Sequence, residues 1–356
     1  MLAISLLIFS SRAIGADAAR PSFMGPDKED AAHPGLLVRL PDRRNLNFRC
    51  RGSGAPTVLL ESGYAASSLA WFKVKALLAS KYRVCAYDRA GYGFSDPGPE
   101  PRDGAAIARD LDYGLRAARL EGPFIVVGHS AGGLYVRLFT DRRWRDVAGI
   151  VLVDPSVEYQ NTRFAAVFGP GAGAVSALRD QAARCLEAAR HGRLQPPSSD
   201  PDLINCLPRP RTSDTAAVSE RRLAEALRPA TWITRISELD TLWTRTSDEI
   251  ASGRKAYGSL PLIVLTADGT YSGAPDGIRP ALLRFWITLH QQLAARSNCG
   301  QERLVGGSSH LMMLDRPDAI ATAVEEEITQ TVRHGPCIQS GKPHETSNKP
   351  LGETRK

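Results

Sequence analysis

The sequence lacks the signatures of several classes of protein. No segment approaches the roughly 20 consecutive apolar residues that a membrane-spanning helix requires. It contains no C-x-x-C or His-x-His spacing of the kind that binds zinc, and no internal repeat. We therefore expect neither stable membrane insertion nor a metal centre.

No nucleic-acid recognition motif accompanies the positive charge of the chain. The formal net charge is +7 and comes largely from scattered arginines. Arg142, Arg143 and Arg145 cluster around Trp144 at a predicted helix end, where a solvated basic surface is the simpler interpretation. We expect no nucleic-acid partner.

The composition is that of an ordinary globular protein. Hydrophobic residues make up 43% and charged residues 23% of the 356 residues. This length is long for one domain and short for two, so one large domain with an insertion fits it best. The oligomeric state is left open.

The N-terminal segment has features of an export signal. An apolar run over residues 2–9 precedes Ala16-Asp17-Ala18, a small-x-small cleavage pattern. No Lys or Arg precedes the run, and Arg12 follows it, which departs from the usual charge pattern. We predict a signal peptide over residues 1–18 and export to the periplasm or the medium, with a cytoplasmic location as the alternative.

The six cysteines form an even set that suits an oxidising compartment. Cys185 and Cys206 share one helical stretch, and Cys299 and Cys337 flank the C-terminal region, so each pair could form a disulfide. Cys85 lies within an apolar strand, where we expect a buried thiol.

Short apolar segments alternate with helical patterns along the chain. Four of them are bounded by turn residues, as buried parallel strands are: residues 58–60, 82–87, 124–127 and 149–153. Helical spacing of apolar residues marks residues 71–78 and 105–120. Two strands and two helices follow later: residues 262–265, 279–295, 303–305 and 319–333. The pattern predicts an α/β fold with a mostly parallel central sheet flanked by helices.

The strand pattern stops after Pro155. Helical segments at residues 177–189 and 219–227 are separated by the turn-rich piece 195–210. We interpret this region as a helical cap inserted into one catalytic domain. The predicted boundaries are a catalytic domain over residues 36–154 and 259–335, a cap over residues 155–258, and a polar, disordered tail over residues 338–356.

The strongest chemical signal is Gly128-His129-Ser130-Ala131-Gly132, a G-x-S-x-G motif. An apolar strand ends directly before it, and a helix over residues 131–140 follows it. A strand-to-helix elbow needs small residues on both sides of a strained serine, so that the hydroxyl projects above the sheet. The motif predicts Ser130 as a nucleophile, with a plain tight turn as the structural alternative.

Two histidines compete for the role of base. Adjacent side chains diverge at such a turn, so we expect His129 to be packed or locally hydrogen-bonded. His310 follows the late strand and the small-residue run 306–309, in a loop at the carboxyl edge of the sheet, where sites of open α/β folds collect. Imidazole can take and return a proton near neutral pH. His310 is therefore the predicted base.

Several segments together resemble the α/β-hydrolase superfamily, in its chain order. They are the D-x-x-G-x-G-x-S-like stretch 85–96, the Ser130 elbow, the strand ending in Asp154, and the His310 segment ending in Asp315-Arg316-Pro317. The resemblance extends from residue 36 to residue 333. It implies an α/β-hydrolase fold and hydrolysis at Ser130 without a cofactor. No Lys-Ser/Thr follows the glycines near Asp88, so they do not form a nucleotide loop.

The resemblance leaves the acidic residue of the triad open. Many members carry it after the strand that corresponds to residues 262–265, but here the usual position falls near Thr270, and Asp268 lies two residues earlier. Other members, including some lipases and dehalogenases, carry the acid at the end of the preceding strand, where this chain has Asp154. Either acid would hold the His310 imidazole in the right tautomer. We favour Asp154 and keep Asp268 as the alternative.

An oxyanion hole needs two backbone N–H donors. The family pattern assigns one to Ala131 and the other to Tyr64, where Glu61-Ser62-Gly63-Tyr64 replaces the commoner His-Gly pair. The Tyr64 side chain is then free to wall the acyl pocket or to pack on the cap. Trp71 and Trp286 could line the same pocket, although core packing is the simpler role for both.

These residues predict a carboxylesterase-like serine hydrolase. Ser130 would attack the carbonyl of a small-molecule ester with His310 as base, and water would release the acid from the acyl-enzyme. The same triad also serves aminopeptidases, lactonases and perhydrolases, and a ligand-binding protein without turnover is the alternative from another class. Serine at the elbow argues against dehalogenase and epoxide-hydrolase chemistry, for which relatives use aspartate. The charged insert favours soluble esters over the interfaces on which lipases act.

Overall fold

An eight-stranded sheet forms the centre of the described structure. A computed structural model describes residues 33–173, 175–196, 200–208 and 214–333. The predicted signal peptide (residues 1–18) and the polar tail (residues 338–356) lie outside these residues. The strands are β1 (Leu36–Arg39), β2 (Asn45–Arg51), β3 (Thr57–Glu61), β4 (Arg83–Asp88), β5 (Phe124–His129), β6 (Val147–Val153), β7 (Leu262–Ala267) and β8 (Gly300–Val305).

The sheet is parallel over most of its width. In space the strands follow the order β1-β2-β4-β3-β5-β6-β7-β8. Neighbours from β4 to β8 pair in parallel, whereas β2 pairs antiparallel with both β1 and β4. The predicted mostly parallel sheet is confirmed. The antiparallel strand β2 is not predicted from apolar runs, because Asn45, Asn47 and Arg49 alternate with apolar residues in it.

Helices cover both faces of the sheet. Alternate strand residues point to opposite faces. Val126 and Ile150 therefore pack with helices α2 (Gly104–Ala117), α3 (Gly132–Arg142) and α9 (Arg279–Ala294). Ile125 and Val151 pack with helices α1 (Phe72–Leu78) and α11 (Pro317–Arg333) on the other face. None of the helices in the described residues combines the length and apolarity needed to cross a membrane. The helices are α1 (Phe72–Leu78), α2 (Gly104–Ala117), α3 (Gly132–Arg142), α4 (Gln160–Phe168), α5 (Ser176–Arg190), α6 (Ala216–Ala226), α7 (Pro229–Leu242), α8 (Arg245–Ser252), α9 (Arg279–Ala294), α10 (Met312–Asp315) and α11 (Pro317–Arg333).

The segment between β6 and β7, which we term the insert, carries helices α4 to α8. Its α5–α7 part has an apolar cluster of its own, which includes Ala182 and Trp232. Leu242, the last residue of α7, packs instead with Tyr135 of α3 and with the partly buried Tyr64. The insert is thus joined to the sheet beside the loop that follows β3.

Two disulfides are described in full. Cys185–Cys206 joins α5 to the turn-rich piece, and it is one of the two pairings that the sequence left open. Cys50 and Cys85 also form a disulfide, so the prediction of a buried thiol at Cys85 is wrong. The reason is the unpredicted strand β2, which places Cys50 directly opposite Cys85 of β4. Cys299 is disulfide-bonded as well, whereas Cys337 lies outside the described residues.

Candidate active site

Strand β5 and helix α3 meet at a sharp turn that carries Ser130. The serine has a φ of 52°, a left-handed conformation that is uncommon for residues other than glycine. Two glycines make the turn possible. A Cβ at Gly128 would lie 2.6 Å from the carbonyl oxygen of Gly132, and one at Gly132 would lie 2.7 Å from the carbonyl oxygens of Glu61 and Ser62. The predicted strand-to-helix elbow is therefore present, with its helix packed closely against the end of β3.

A continuous hydrogen-bond chain links three side chains at the carboxyl edge of the sheet. His310 Nε2 lies 3.0 Å from Ser130 Oγ, and His310 Nδ1 lies 2.6 Å from Asp154 Oδ2. With the proton on Nδ1, the imidazole donates to the carboxylate and accepts from the serine hydroxyl. Asp154 is fully buried, whereas the His310 side chain is 40% exposed. The histidine therefore faces the solvent side of the site and the aspartate lies beneath it.

Asp154 is held by three further donors. Its Oδ1 accepts from Trp286 Nε1 at 2.8 Å and from the Ala267 N–H at 3.2 Å, and its Oδ2 accepts from Thr270 Oγ1 at 2.5 Å. Burial raises the pKa of this carboxyl, but the hydrogen bond and charge of His310, the charge of His290 and the Thr270 hydroxyl outweigh burial. The pKa of Asp154 therefore lies below 3.8. The group is anionic at neutral pH.

Asp268 occupies the corresponding place after β7 but makes different contacts. It is exposed, and its two oxygens accept the backbone N–H groups of Gly307 and Ser308 at 2.9 and 3.0 Å. These residues belong to the loop that leads to His310. The structure therefore brings Asp154 to the imidazole and Asp268 to the backbone of the same loop.

His129 lies beneath the catalytic candidates without contacting the Ser130 hydroxyl in the described hydrogen bonds. Its Nε2 donates to the carbonyl oxygen of His310 at 2.7 Å, and its ring packs edge-on to Trp71. Burial, reinforced by the charge of His310, lowers the pKa of His129 to about 3. The residue is neutral and locally hydrogen-bonded, and it anchors the backbone of His310.

The backbone N–H groups of Tyr64 and Ala131 are the two predicted oxyanion donors. Within the described residues, neither N–H group donates to a protein acceptor. Ala131 is 1% exposed. Because buried backbone donors are nearly always satisfied, the free N–H of Ala131 marks a place where a ligand oxygen could bind, and the half-buried Tyr64 supplies a second free N–H.

Three side chains of the site go beyond the sequence predictions. Trp286 is buried as expected, but it also donates to Asp154. Thr270 stands at the usual position of the acid and donates to the acid of the neighbouring strand. Arg89 donates to the carbonyl oxygens of Ser62 and Gly63, which precede Tyr64. The position of Thr270 in the family pattern is the one signal that could have revealed any of these contacts.

A cavity of about 410 Å³ lies between the loop after β3 and the insert. Its wall includes Ala65, Leu207, Arg235 and Leu314 but none of the three hydrogen-bonded side chains. The cavity therefore adjoins the loop after β3 and the segment that follows His310, and it does not enclose Ser130. Within the described residues, no cluster of His, Cys, Asp and Glu could hold a metal ion.

The model of the family described as "Alpha/beta hydrolase family" matches residues 58–323. This chain belongs to the α/β-hydrolase family. The matched stretch contains the elbow, Asp154 and His310, and membership supports a hydrolytic enzyme.

Curated relatives are similar over part of the chain. An "AB hydrolase superfamily protein" of Gibberella zeae is 35% identical over 136 residues, which cover 36% of this chain and 40% of that protein. The uncharacterized protein YqjL of Bacillus subtilis is 32% identical over 107 residues, which cover 30% and 42%. The chain thus spans less than half the length of the curated relatives that it matches.

Solved structures share the fold at low sequence identity. A thermophilic esterase from Thermogutta terrifontis has a TM-score of 0.52 and 19% identity, covering 83% of this chain and 98% of that one. The meta-cleavage product hydrolase CumD from Pseudomonas fluorescens has a TM-score of 0.55 and 18% identity, with the same coverage. These likenesses establish the fold.

Proposed function

We propose that this α/β-hydrolase cleaves carboxylic esters of small to medium molecules through an acyl-enzyme on Ser130. The observation that carries the proposal is the hydrogen-bond chain from Ser130 through His310 to Asp154. The serine at a strained elbow supports acyl transfer, since relatives with epoxide-hydrolase or dehalogenase chemistry use aspartate there. No cofactor is needed for this reaction.

The three hydrogen-bonded residues account for the proton transfers in both steps of the reaction. His310 Nε2 takes the Ser130 proton as Oγ attacks the ester carbonyl, and the same nitrogen returns it to the leaving alcohol. Asp154 keeps the other proton on Nδ1 and stabilises the imidazolium that forms transiently. Water then attacks the acyl-enzyme while His310 takes its proton, and the bond to Ser130 Oγ breaks as His310 gives that proton to Oγ and the acid is released.

The negative oxygen of the tetrahedral intermediate would bind the N–H groups of Tyr64 and Ala131. Both are free of protein acceptors in the described structure, so binding would not first require breaking a hydrogen bond. Preorganised donors of this kind contribute about 3 kcal/mol each to lowering the barrier.

The insert and the location of the protein belong to the same proposal. Helix α7 packs over Tyr64, and the cavity beside it is lined by both the insert and the sheet domain. We therefore assign the insert the role of a cap that shapes the substrate pocket. The two disulfides support export, because such bonds persist in oxidising compartments.

The test is hydrolysis of p-nitrophenyl esters from acetate to palmitate by the wild type, Ser130→Ala and a matched control, Ser252→Ala. Ser252 lies at the exposed end of α8, where its hydroxyl donates to the carbonyl oxygen of Glu249. We expect wild-type turnover that Ser252→Ala retains and Ser130→Ala loses by at least about 10⁴-fold. The preferred chain length then separates a soluble-ester esterase from a lipase.

Equal rates in wild type and Ser130→Ala would reject the mechanism. No turnover of any ester would reject the esterase proposal and favour aminopeptidase, lactonase or perhydrolase activity by the same triad. Tight binding of a substrate without its conversion would favour a binding protein.

A further inference from the structure

One buried guanidinium contacts both the loop after β3 and the insert. Arg89, directly after β4, is 2% exposed. Its Nη1 donates to the Ser62 carbonyl oxygen at 2.6 Å and its Nη2 to the Gly63 carbonyl oxygen at 2.9 Å. The carboxylate of Glu238, on helix α7 of the insert, accepts from Arg89 Nε at 3.0 Å and from Nη2 at 3.2 Å.

All five N–H donors of this guanidinium are used. The fifth bond runs from Nη1 to Glu61 Oε1 at 2.8 Å. An arginine carries five donors in a rigid planar fork, so its orientation is fixed once all are satisfied. Two tyrosine rings flank the group, with centroids at 4.8 Å (Tyr92) and 5.3 Å (Tyr135) from Arg89 Cζ. Tyr92 also donates to Glu238 through its hydroxyl.

The contact with Gly63 bears directly on the predicted oxyanion donor. In a planar trans peptide the carbonyl oxygen of one residue and the N–H of the next point in opposite directions. A bond that fixes the Gly63 carbonyl therefore fixes the Tyr64 N–H on the other side. The peptide lies against the nucleophile, because a Cβ added at Gly63 would be 3.0 Å from Ser130 Cβ. Donation to the carbonyl also polarises the peptide and strengthens the N–H as a donor.

We propose that Arg89 is a positioning residue that orients the Tyr64 N–H for the oxyanion, and that Glu238 of the insert holds Arg89 in that orientation. The insert then supports the reaction in addition to shaping the pocket. This inference rests on the proposed function, since an oxyanion must form for the orientation to matter.

Lysine is the informative substitution at Arg89. It keeps the positive charge but has three donors on a single nitrogen, so it cannot hold two carbonyls and two carboxylates at once. Arg102→Lys is the matched control. Arg102 is likewise buried, at 1% exposure, and donates to Asp110 at 2.8 Å, but none of its described hydrogen bonds reaches residues 61–64.

The experiment measures kcat and KM on the fastest p-nitrophenyl ester, inhibition by phenylboronic acid, and the thermal unfolding midpoint. Phenylboronic acid forms a tetrahedral adduct with an active serine and so reports on the oxyanion hole. For Arg89→Lys we expect a kcat about 100-fold lower, a KM within about threefold of wild type, and boronate inhibition weakened by about the same factor as kcat. Arg102→Lys should keep kcat within about threefold, whatever its unfolding midpoint.

The inference is overturned if Arg89→Lys keeps kcat within about threefold, if it changes KM alone, or if Arg102→Lys loses as much kcat. If Arg89→Lys does not fold, the Glu238→Gln variant tests the inference in its place. It should lower kcat and weaken boronate inhibition about tenfold, and an unchanged kcat overturns the inference. Ser130→Ala is assayed alongside. Wild-type turnover that does not depend on Ser130 rejects the proposed function and this inference together, whereas Ser130-dependent turnover unaffected by Arg89→Lys rejects the inference alone.

Discussion

Asp154 and Asp268 have the same place on neighbouring parallel strands, yet their surroundings differ. Asp154 follows β6 and is fully buried among donors that include the His310 imidazole. Asp268 follows β7, is exposed, and accepts two backbone N–H groups of the loop that leads to His310. One carboxylate thus contacts the His310 ring, and the other contacts the main chain of the loop that carries it. The role of an acid at a sheet edge depends on which donors point at it.

The largest effect that would test this division is that of Asp154→Asn. An asparagine can present its amide N–H₂ to Nδ1 and so favour the tautomer with the proton on Nε2, which cannot accept the Ser130 proton. We expect kcat for ester hydrolysis to fall about 10⁴-fold with little change in KM, as in a serine triad that loses its acid. Steady-state kinetics check this, with Asp268→Asn as the matched variant. A loss below about tenfold would remove Asp154 from the proposed triad.

Moving the acid one strand along the sheet should recover part of that loss. Thr270 Oγ1 lies 2.5 Å from Asp154 Oδ2, the oxygen that also contacts His310 Nδ1. An aspartate at position 270 would therefore bring a carboxylate near the imidazole. We expect Asp154→Ala/Thr270→Asp to be about 10- to 100-fold faster than Asp154→Ala, because a restored acid orients the base and stabilises its cation. The control is Asp154→Ala/Thr270→Asn, and equal rates for the two double variants would contradict the prediction.

The surroundings of Asp154 should also make folding sensitive to pH. His290 packs on Trp286, and burial lowers its pKa to about 4, against 6.5 for the ordinary group. Between about pH 6.5 and 4 the unfolded chain binds a proton that the folded protein does not. The free energy of unfolding therefore decreases as the pH falls through this range, by up to about 1.4 kcal/mol per pH unit for one histidine.

Urea unfolding at pH 7, 6 and 5 would measure this slope. In His290→Asn the free energy of unfolding should depend less steeply on pH than in wild type, by the contribution of about one proton. Ser252→Ala, which removes no titratable group, should leave the slope unchanged. Parallel curves for wild type and His290→Asn would show that His290 takes up protons equally in both states.

The fold could be predicted from the sequence more fully than the contacts of the candidate site. Strands β3 to β7 are continuous apolar runs, so their burial on both faces is visible locally. The elbow serine and His310 could be predicted because turn chemistry and family order mark them. Strand β2 alternates polar and apolar residues and so lacks an apolar run, which is why neither this strand nor the partner of Cys85 can be predicted from such runs.

The contacts that support the site depend on long-range folding. Trp286 and Thr270 are 132 and 116 residues from Asp154 along the chain, and no local pattern indicates that they meet there. Arg89 lies in a recognised motif, but its second partner, Glu238, is 149 residues away on a helix of the insert. Such pairs become predictable only once the packing of the insert on the sheet is known.

The smallest effect in this comparison is that of Asp268→Asn. Asparagine keeps one acceptor oxygen, so one of the two backbone N–H groups, of Gly307 or Ser308, loses its acceptor. Because Asp268 is exposed, water can replace the lost bond, and we expect the free energy of unfolding to fall by about 0.5–1 kcal/mol. The imidazole keeps its contact with Asp154, so kcat should stay within about threefold of wild type. Urea unfolding and ester kinetics measure both quantities. A loss of kcat that approaches that of Asp154→Asn would mean that the main-chain contact, and not the buried carboxylate, controls the orientation of His310.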